Sequence, residues 1–456
     1  MDIPVETLET TERPDPVDRG RLLRILGIGF GLAICIGSTV GQGILRTPGP
    51  VAENLGSVWL IMFAWMLGGV YCLLGANNIA ELATMTPKAG GFFVYAHRAY
   101  GPYGGFVVGW GDWAYNALGL AFVAVVFGEY AVALFNTQFS GGRILFSVSI
   151  LVLLTSLNWL GVRAGSVAQK LTSLLKAIAL VAFVVACFLF GGKVEPATVV
   201  APFAPLALTG SLVGFILAFQ MILSTYDGWH SPIYFSEEDT NPTRNVPRAL
   251  FGGILLVAAI YILVNAAIVY VLPLSQLAGS QFAGGDAITL MFGSRSGQII
   301  TLLALLSLIG ILNAMLMFIP RIMFGLGRAG LFTSRATTVN PRGTPVFALG
   351  VTALTAIVLT AIGTFEMLLA ISQFLAVSMV ILLVGSLFVL RRKEPDAPRP
   401  YRVWGYPFAP GLMLIGGILL FVGYIYSNPI PSLYSIGLLI LSYPLFRFVA
   451  RQKHRE

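Results

Sequence analysis

The sequence predicts an all-α membrane protein of twelve transmembrane helices containing an inverted repeat. Three observations predict it. The 456-residue chain is 57% hydrophobic and only 11% charged, where a soluble domain carries about 25% charged residues. Apolar runs of about 18 residues or more recur along almost the whole chain, and about 20 such residues cross the hydrocarbon core as a helix. The first and sixth of these runs are interrupted by Gly, Pro and polar residues at matching places, five spans apart and therefore on helices of opposite sense.

Residues 1–20 form an acidic, Pro-containing stretch, "MDIPVETLETTERPDPVD" and two more, expected to be a disordered cytoplasmic tail. The twelve spans fall near 25–52, 56–86, 101–136, 143–162, 167–191, 208–238, 247–273, 296–328, 344–363, 366–390, 409–427 and 430–449. The first run is too long, and followed by too many others, to be a cleaved signal peptide. An even count puts both termini on one side. With that side cytoplasmic, the inner loops hold Arg19, Arg21, Arg24, Lys88, Arg98, Arg163, Arg244, Arg248, Arg328, Arg335 and Arg342, plus "RRKEPDAPRPYR" and "RFVARQKHRE". The outer loops hold little beyond Arg143, Lys193 and Arg295. Positive charge concentrates on cytoplasmic loops, so the net charge of +8 reports orientation in a cell membrane and not a nucleic-acid partner.

No catalytic or metal constellation competes with this reading. Cys35, Cys72 and Cys187 lie within apolar runs at no metal-ligand spacing and read as small buried hydrophobes. His97, His230 and His454 form no cluster, and no zinc-protease, phosphate-loop or nucleophile-elbow motif occurs. "GIGFGLAICIG" imitates a dinucleotide fingerprint, but it follows no strand and lies within a span. The expectation is no enzyme, no cofactor and no metal.

The interruptions carry the functional information. "CIGSTVGQGILRTPG" in the first span and "LSTYDGWHSP" in the sixth free backbone N–H and C=O groups, which lipid cannot satisfy. Such groups are tolerated where they line a cavity and meet a ligand. Half-helix N-termini favour a carboxylate and freed carbonyls favour an ammonium, so one midplane site suits a zwitterionic amino acid. The alternative is that Gly41, Gly43 and Gly228 only allow close helix packing, which requires neither the flanking Pro48 and Pro232 nor the matching placement.

At these residues the chain resembles the amino acid–polyamine–organocation (APC) superfamily, closest to its L-type and bacterial amino acid exchanger-like branches. "GSTVGQGILRTPG" is similar to the family's first-helix pattern, and "NIAELATMTPKAGGFFVYAHRAYGP" to its second helix and following loop. "TYDGWHSPIYFSEEDTNPTRNVPRAL" is similar to the sixth helix and its exit, and "LNAMLMFIPRIMFGLGRAGLF" to the eighth. The resemblance implies a leucine-transporter-like fold: a first repeat of five helices over 21–192, a second, inverted one over 205–392, a cytoplasmic loop at 393–408, helices 11 and 12 over 409–450, and a tail at 451–456. It implies alternating access, with the substrate carboxylate on the N–H groups of Gly41, Gln42 and Gly43 and its amine on the carbonyls of Val40, Ser224 and Asp227. Gln42 stands where the family often has Ser or Ala. Ser224 stands where several members have an aromatic gate, a role open to Phe219 or Tyr226. Animal relatives of the L-type branch attach to a glycoprotein through a cysteine in the third external connection. Here that connection, "NTQFSGG", has none, so no disulfide-linked heavy chain is expected.

Single polar residues within the spans complete the list. Lys176, in "LTSLLKAIALVAF", is costly at mid-membrane unless it faces a cavity and finds partners. It matches a fifth-helix lysine of sodium-independent members, whose ammonium takes the place of a sodium ion. The alternative is a lysine snorkelling to the cytoplasmic face. Asp227 either draws cationic substrates or a proton, or caps the second half-helix. Asp112 in "WGDWAYN" either lines the pathway, carries a proton or meets an internal cation, or makes a structural hydrogen bond. Glu81 is an internal gate or a plain interfacial glutamate, and Asn313 faces the pathway or joins helices. Glu237 and Glu238 are expected to hold a loop to neighbouring arginines. The function expected is secondary, sodium-independent amino acid transport, by exchange or proton symport. A polyamine or organic-amine carrier is the alternative; an intramembrane enzyme or a channel fits less.

Overall fold

The computed structural model describes residues 21–41, 43–136, 139, 141–193, 211–293 and 296–453. The expectations for the 1–20 tail, Gln42, Arg295, residues 454–456 and part of the third external connection (Thr137, Gln138, Ser140) lie outside the described residues. Within them the chain is helical and forms no strand. Its helices are α1 (Ile28–Thr39), α2 (Gly43–Arg46), α3 (Pro48–Leu55), α4 (Val58–Met85), α5 (Phe92–Phe135), α6 (Gly142–Trp159), α7 (Val162–Phe190), α8 (Leu212–Tyr226), α9 (Pro242–Val271), α10 (Leu274–Ala278), α11 (Ala283–Phe292), α12 (Gly297–Arg328), α13 (Val346–Ile362), α14 (Phe365–Lys393), α15 (Phe408–Ser427) and α16 (Pro429–Lys453).

Ten helical segments among the described residues are long and apolar enough to cross a membrane, making this a multi-pass membrane protein. Two predicted spans fall on shorter helices, α1 with 12 residues and α13 with 17. The outward faces are apolar. On α7, Leu171, Leu174, Ile178, Val181 and Val185 are exposed at three- and four-residue spacing, and α15 exposes Leu412, Ile415, Leu419 and Val422 likewise. Such stripes would drive aggregation in water and are the normal outer face in lipid. Inside, α5 packs on α14 and α12, while α4 and α1 pack on α9.

Three features of the spans have local causes. The span expected at 101–136 keeps its start: the helical stretch that runs from Phe92 is broken at Gly101, whose φ of +82° turns the chain just before Pro102. The connection between the seventh and eighth spans contains two helices, α10 and α11, that were not anticipated. The first span is in three pieces: it stops at Thr39, resumes at Gly43, and restarts at Pro48, where proline suits a first helical turn.

One end of the bundle is tied by ion pairs. Glu238 takes both guanidinium arms of Arg321, at 2.8 and 2.9 Å, with both residues buried. Glu237 takes Arg328 at 2.6 and 2.7 Å and the Ala89 N–H at 2.9 Å, so the paired glutamates do hold their loop to arginines. Glu81 binds Arg391 and Arg399, and Arg98 meets Glu394 at 2.6 Å. The Leu26 N–H donates to Glu238 O and the Thr240 N–H to Leu26 O, at 2.9 and 2.8 Å. The entry to α1, the exits of α4 and α12 and the end of α14 thus meet at this end.

Candidate functional site

The two interruptions face each other and are stitched together. α1 ends where Val40 turns extended, its N–H still bonded to Ile36 O. α8 ends at Tyr226, Asp227 turns extended, and Gly228 adopts φ +100° before the short turn Ser231–Phe235. Only glycine fits there: a Cβ on Gly228 would lie 2.7 Å from Ser38 O, and its φ is in the left-handed region. Ser38 Oγ lies 2.8 Å from Gly228 O and 2.8 Å from Ser231 Oγ, and Cys35 Sγ donates to Trp229 O at 3.3 Å. On the far side, Thr47 Oγ1 and Thr225 Oγ1 are 2.9 Å apart. Tyr261 Oη lies 2.9 Å from Thr39 O and 3.0 Å from Thr225 O, meeting a terminal carbonyl of both half-helices.

Between the breaks lies a cavity of about 160 Å³. Gly41, Gly43, Ser224, Asp227 and Gly228 line it, with Tyr115 and Asn116 of α5 and Ser372 and Gln373 of α14. Arg46, Thr47 and Phe365 line its end away from the ion pairs; the Arg46 guanidinium sits 5.3 Å from the Phe365 ring centre. The volume is far below the roughly 300–1,000 Å³ of pockets for drug-sized ligands, so the space suits a small solute. α2 begins at Gly43, beside the break, and helix starts favour negative charge, while Asp227 supplies an acceptor on the cavity wall.

Lys176 on α7 is fully buried, not snorkelling. Its Nζ donates to Gly37 O at 2.9 Å, Val40 O at 2.7 Å and Ser307 O at 3.1 Å. All three ammonium hydrogens are used, tying the end of α1 to α7 and α12. The Val40 carbonyl, expected to take a substrate amine, is thereby already engaged.

The expected aromatic contacts need correction, while at Asp112 and Asn313 the contacts match the structural alternative. Tyr226 does not line the cavity: successive helical residues point about 100° apart, and next to Thr225 its ring turns to Trp65 and Tyr261, its Oη donating to Trp65 O at 3.1 Å. Phe219 likewise stacks on Phe215, away from the cavity; the aromatics that line it are Tyr115, Phe122, Phe318 and Phe365. Among the described residues Asp112 pairs with no cation, and it does not line the central cavity. Its Oδ1 accepts from Tyr234 Oη at 2.8 Å and Asn116 Nδ2 at 3.0 Å, leaving Oδ2 unpartnered. Asn313 joins helices: it accepts from Asn158 at 3.0 Å and donates to Gln169 Oε1 at 2.8 Å. Glu81 is wholly buried, and the Val403 N–H donates to it at 2.7 Å besides its arginines. Asp227 Oδ1 accepts from the Gly228 N–H at 2.8 Å. Ser372 and Gln373 were missed; a polar pair within the apolar run "LLAISQFLAV" was the available signal. Among the described residues no group of His, Cys, Asp or Glu could hold a metal.

Comparison with known proteins adds the following. The family model described as amino acid permease matches residues 26–442. The chain is 31% identical over 430 residues to the serine/threonine exchanger SteT of Bacillus subtilis, covering 92% of this chain and 94% of that protein. It is 29% identical over 439 residues to the b(0,+)-type amino acid transporter 1 of Mus musculus, covering 94% and 88%. It is 28% identical over 449 residues to the large neutral amino acids transporter small subunit 2 of Mus musculus, covering 95% and 82%.

Proposed function

This chain belongs to the amino acid permease family, whose members named above are transporters and not enzymes, and on that footing we propose that it carries amino acids across the cell membrane by alternating access around its two broken helices. The observation that carries the reading is the pair of breaks themselves, joined through Ser38 and Gly228 beside a cavity sized for a small solute. In this reading α1, α2 and α3 together form one crossing and α13 another, giving twelve spans, five and five in inverted repeat plus α15 and α16. Both termini are cytoplasmic, in keeping with the basic inner loops. The ion-paired end is then the cytoplasmic face, closed, and the cavity's Arg46–Phe365 end points outward.

The substrate carboxylate meets the N–H groups at the start of α2 near Gly41, Gln42 and Gly43, and its ammonium meets carbonyls at Ser224 and Asp227. Lys176 occupies the cation position between α1, α7 and α12, so transport runs without sodium, by exchange or proton symport. A polyamine or other organic amine is a second reading, favoured by the Asp227 carboxylate on the cavity wall. Reconstitution in liposomes with labelled amino acids tests this. Saturable uptake, raised by internal substrate or an acid-outside pH gradient and indifferent to sodium, is expected. Failure of every amino acid, with uptake of an organic amine, would hand the site to the second reading.

A further inference from the structure

Three cavities meet at one side chain. Gln373 of α14 lines the central cavity, a side cavity of about 80 Å³ and an outer vestibule of about 430 Å³. It is only 7% exposed, yet among the described residues its amide makes no hydrogen bond. Every other polar residue that crosses between central and side cavities is Asp227, whose Oδ1 already accepts from Gly228 N–H. Past this junction the side cavity is largely apolar, walled by Cys72, Leu223, Val377, Val380, Met413 and Leu420.

We propose that Gln373 reads the substrate's side chain, and that the carrier prefers neutral amino acids bearing a side-chain hydroxyl or carboxamide over aliphatic ones of the same shape. The inference rests on the amino acid transport reading above. With its head group at the breaks, a substrate extends its side chain past Asp227 and Gln373. When that side chain expels water from the junction, the amide's two N–H donors and one acceptor need new partners. A hydroxyl or carboxamide supplies them. A methyl group of equal size leaves a buried amide unpaired, and sites built to hydrogen-bond discriminate against analogues that lack the group. The free oxygen of Asp227 accepts the substrate's donor from the opposite side, and the apolar wall beyond takes any terminal methyl.

Threonine and valine are isosteres and separate the two cases. In proteoliposomes of the full chain, threonine is expected to compete for labelled alanine uptake roughly tenfold better than valine, about what one hydrogen bond is worth. Whatever Gln373→Met does to the absolute rate of alanine uptake, it is expected to lose most of the threonine-over-valine ratio, while Gln373→Asn, which keeps an amide, retains part of it. Equal competition by valine and threonine in the unaltered protein overturns the proposal whatever the variants do. A preference undiminished in Gln373→Met overturns it too, as does a stronger preference for lysine, which would assign the reading to the charge of Asp227. Absence of any amino acid uptake would instead remove the transport reading beneath it.

Discussion

Arg321→Met should destabilise the protein far more than Arg328→Met, although each arginine holds one glutamate of the same pair. Arg321 and Glu238 are both buried, joined by two hydrogen bonds of 2.8 and 2.9 Å, with the guanidinium 4.6 Å from the Phe235 ring centre and a further bond to Met317 O. Methionine fills the aliphatic volume but strands a buried carboxylate, a change that costs about 3–5 kcal/mol. Arg328 and Glu237 have side chains 38% and 24% exposed, so water and salt replace the lost partner, and the expected cost is about 0–1 kcal/mol. The two substitutions should therefore differ by several degrees in apparent melting temperature, read by size-exclusion chromatography of detergent-solubilised protein after heating. Adding Glu238→Leu to Arg321→Met should recover much of the loss, since an apolar pair of similar volume needs no counter-charge. Equal melting of the two single variants would refute the reasoning, because it would mean that burial does not separate these pairs.

Three further outcomes follow from the same geometry. Lys176→Ala leaves the Gly37, Val40 and Ser307 carbonyls without their buried donor and should slow liposomal uptake at least tenfold; normal rates would remove Lys176 from the mechanism. Gly228→Ala forces a Cβ into the left-handed region, at about 1–2 kcal/mol, and against Ser38 O, so uptake should collapse while the protein still elutes as a folded species; unimpaired uptake would show that the breaks can separate freely. For Glu237, burial opposes ionisation, but the Arg328 and Ala89 N–H donors prevail and hold its pKa below the ordinary 4.5. A depressed carboxylate pKa stabilises the fold above the unfolded value and loses that contribution as pH falls through the folded one. The melting deficit of Glu237→Gln should accordingly be present at neutral pH and shrink below 4.5; a deficit that grows with acidification would reverse the sign assigned here.

The spans were legible because lipid imposes one rule on every segment, and the breaks because Gly, Pro and polar residues violate it conspicuously. Lys176 was legible for the same reason: a charge in an apolar run must have a purpose. What the chain alone did not reveal was direction. Tyr226 and Thr225 are neighbours, yet one faces α4 and α9 and the other the cavity, and only the packed helices decide which. Asn313 and Asp112 stand out equally in an apolar background, but whether a polar group faces a pathway or a neighbouring helix depends on what that helix offers. Asn158 and Gln169 meet Asn313, and Tyr234 and Asn116 meet Asp112. Gln373 passed unnoticed because one amide within a long hydrophobic helix is weak evidence until three hollows are seen to converge on it.

The ammonium wedged between α1, α7 and α12 is covalently part of the polypeptide. A free metal ion in such a berth could enter on one side, leave on the other and yield up the energy of its own gradient with every turnover. A tethered cation returns with the protein and performs no net thermodynamic work. On the sodium-independent reading proposed above, uphill accumulation would draw on a second diffusible solute, a counter-moving amino acid or a proton, and without one transport would only equilibrate.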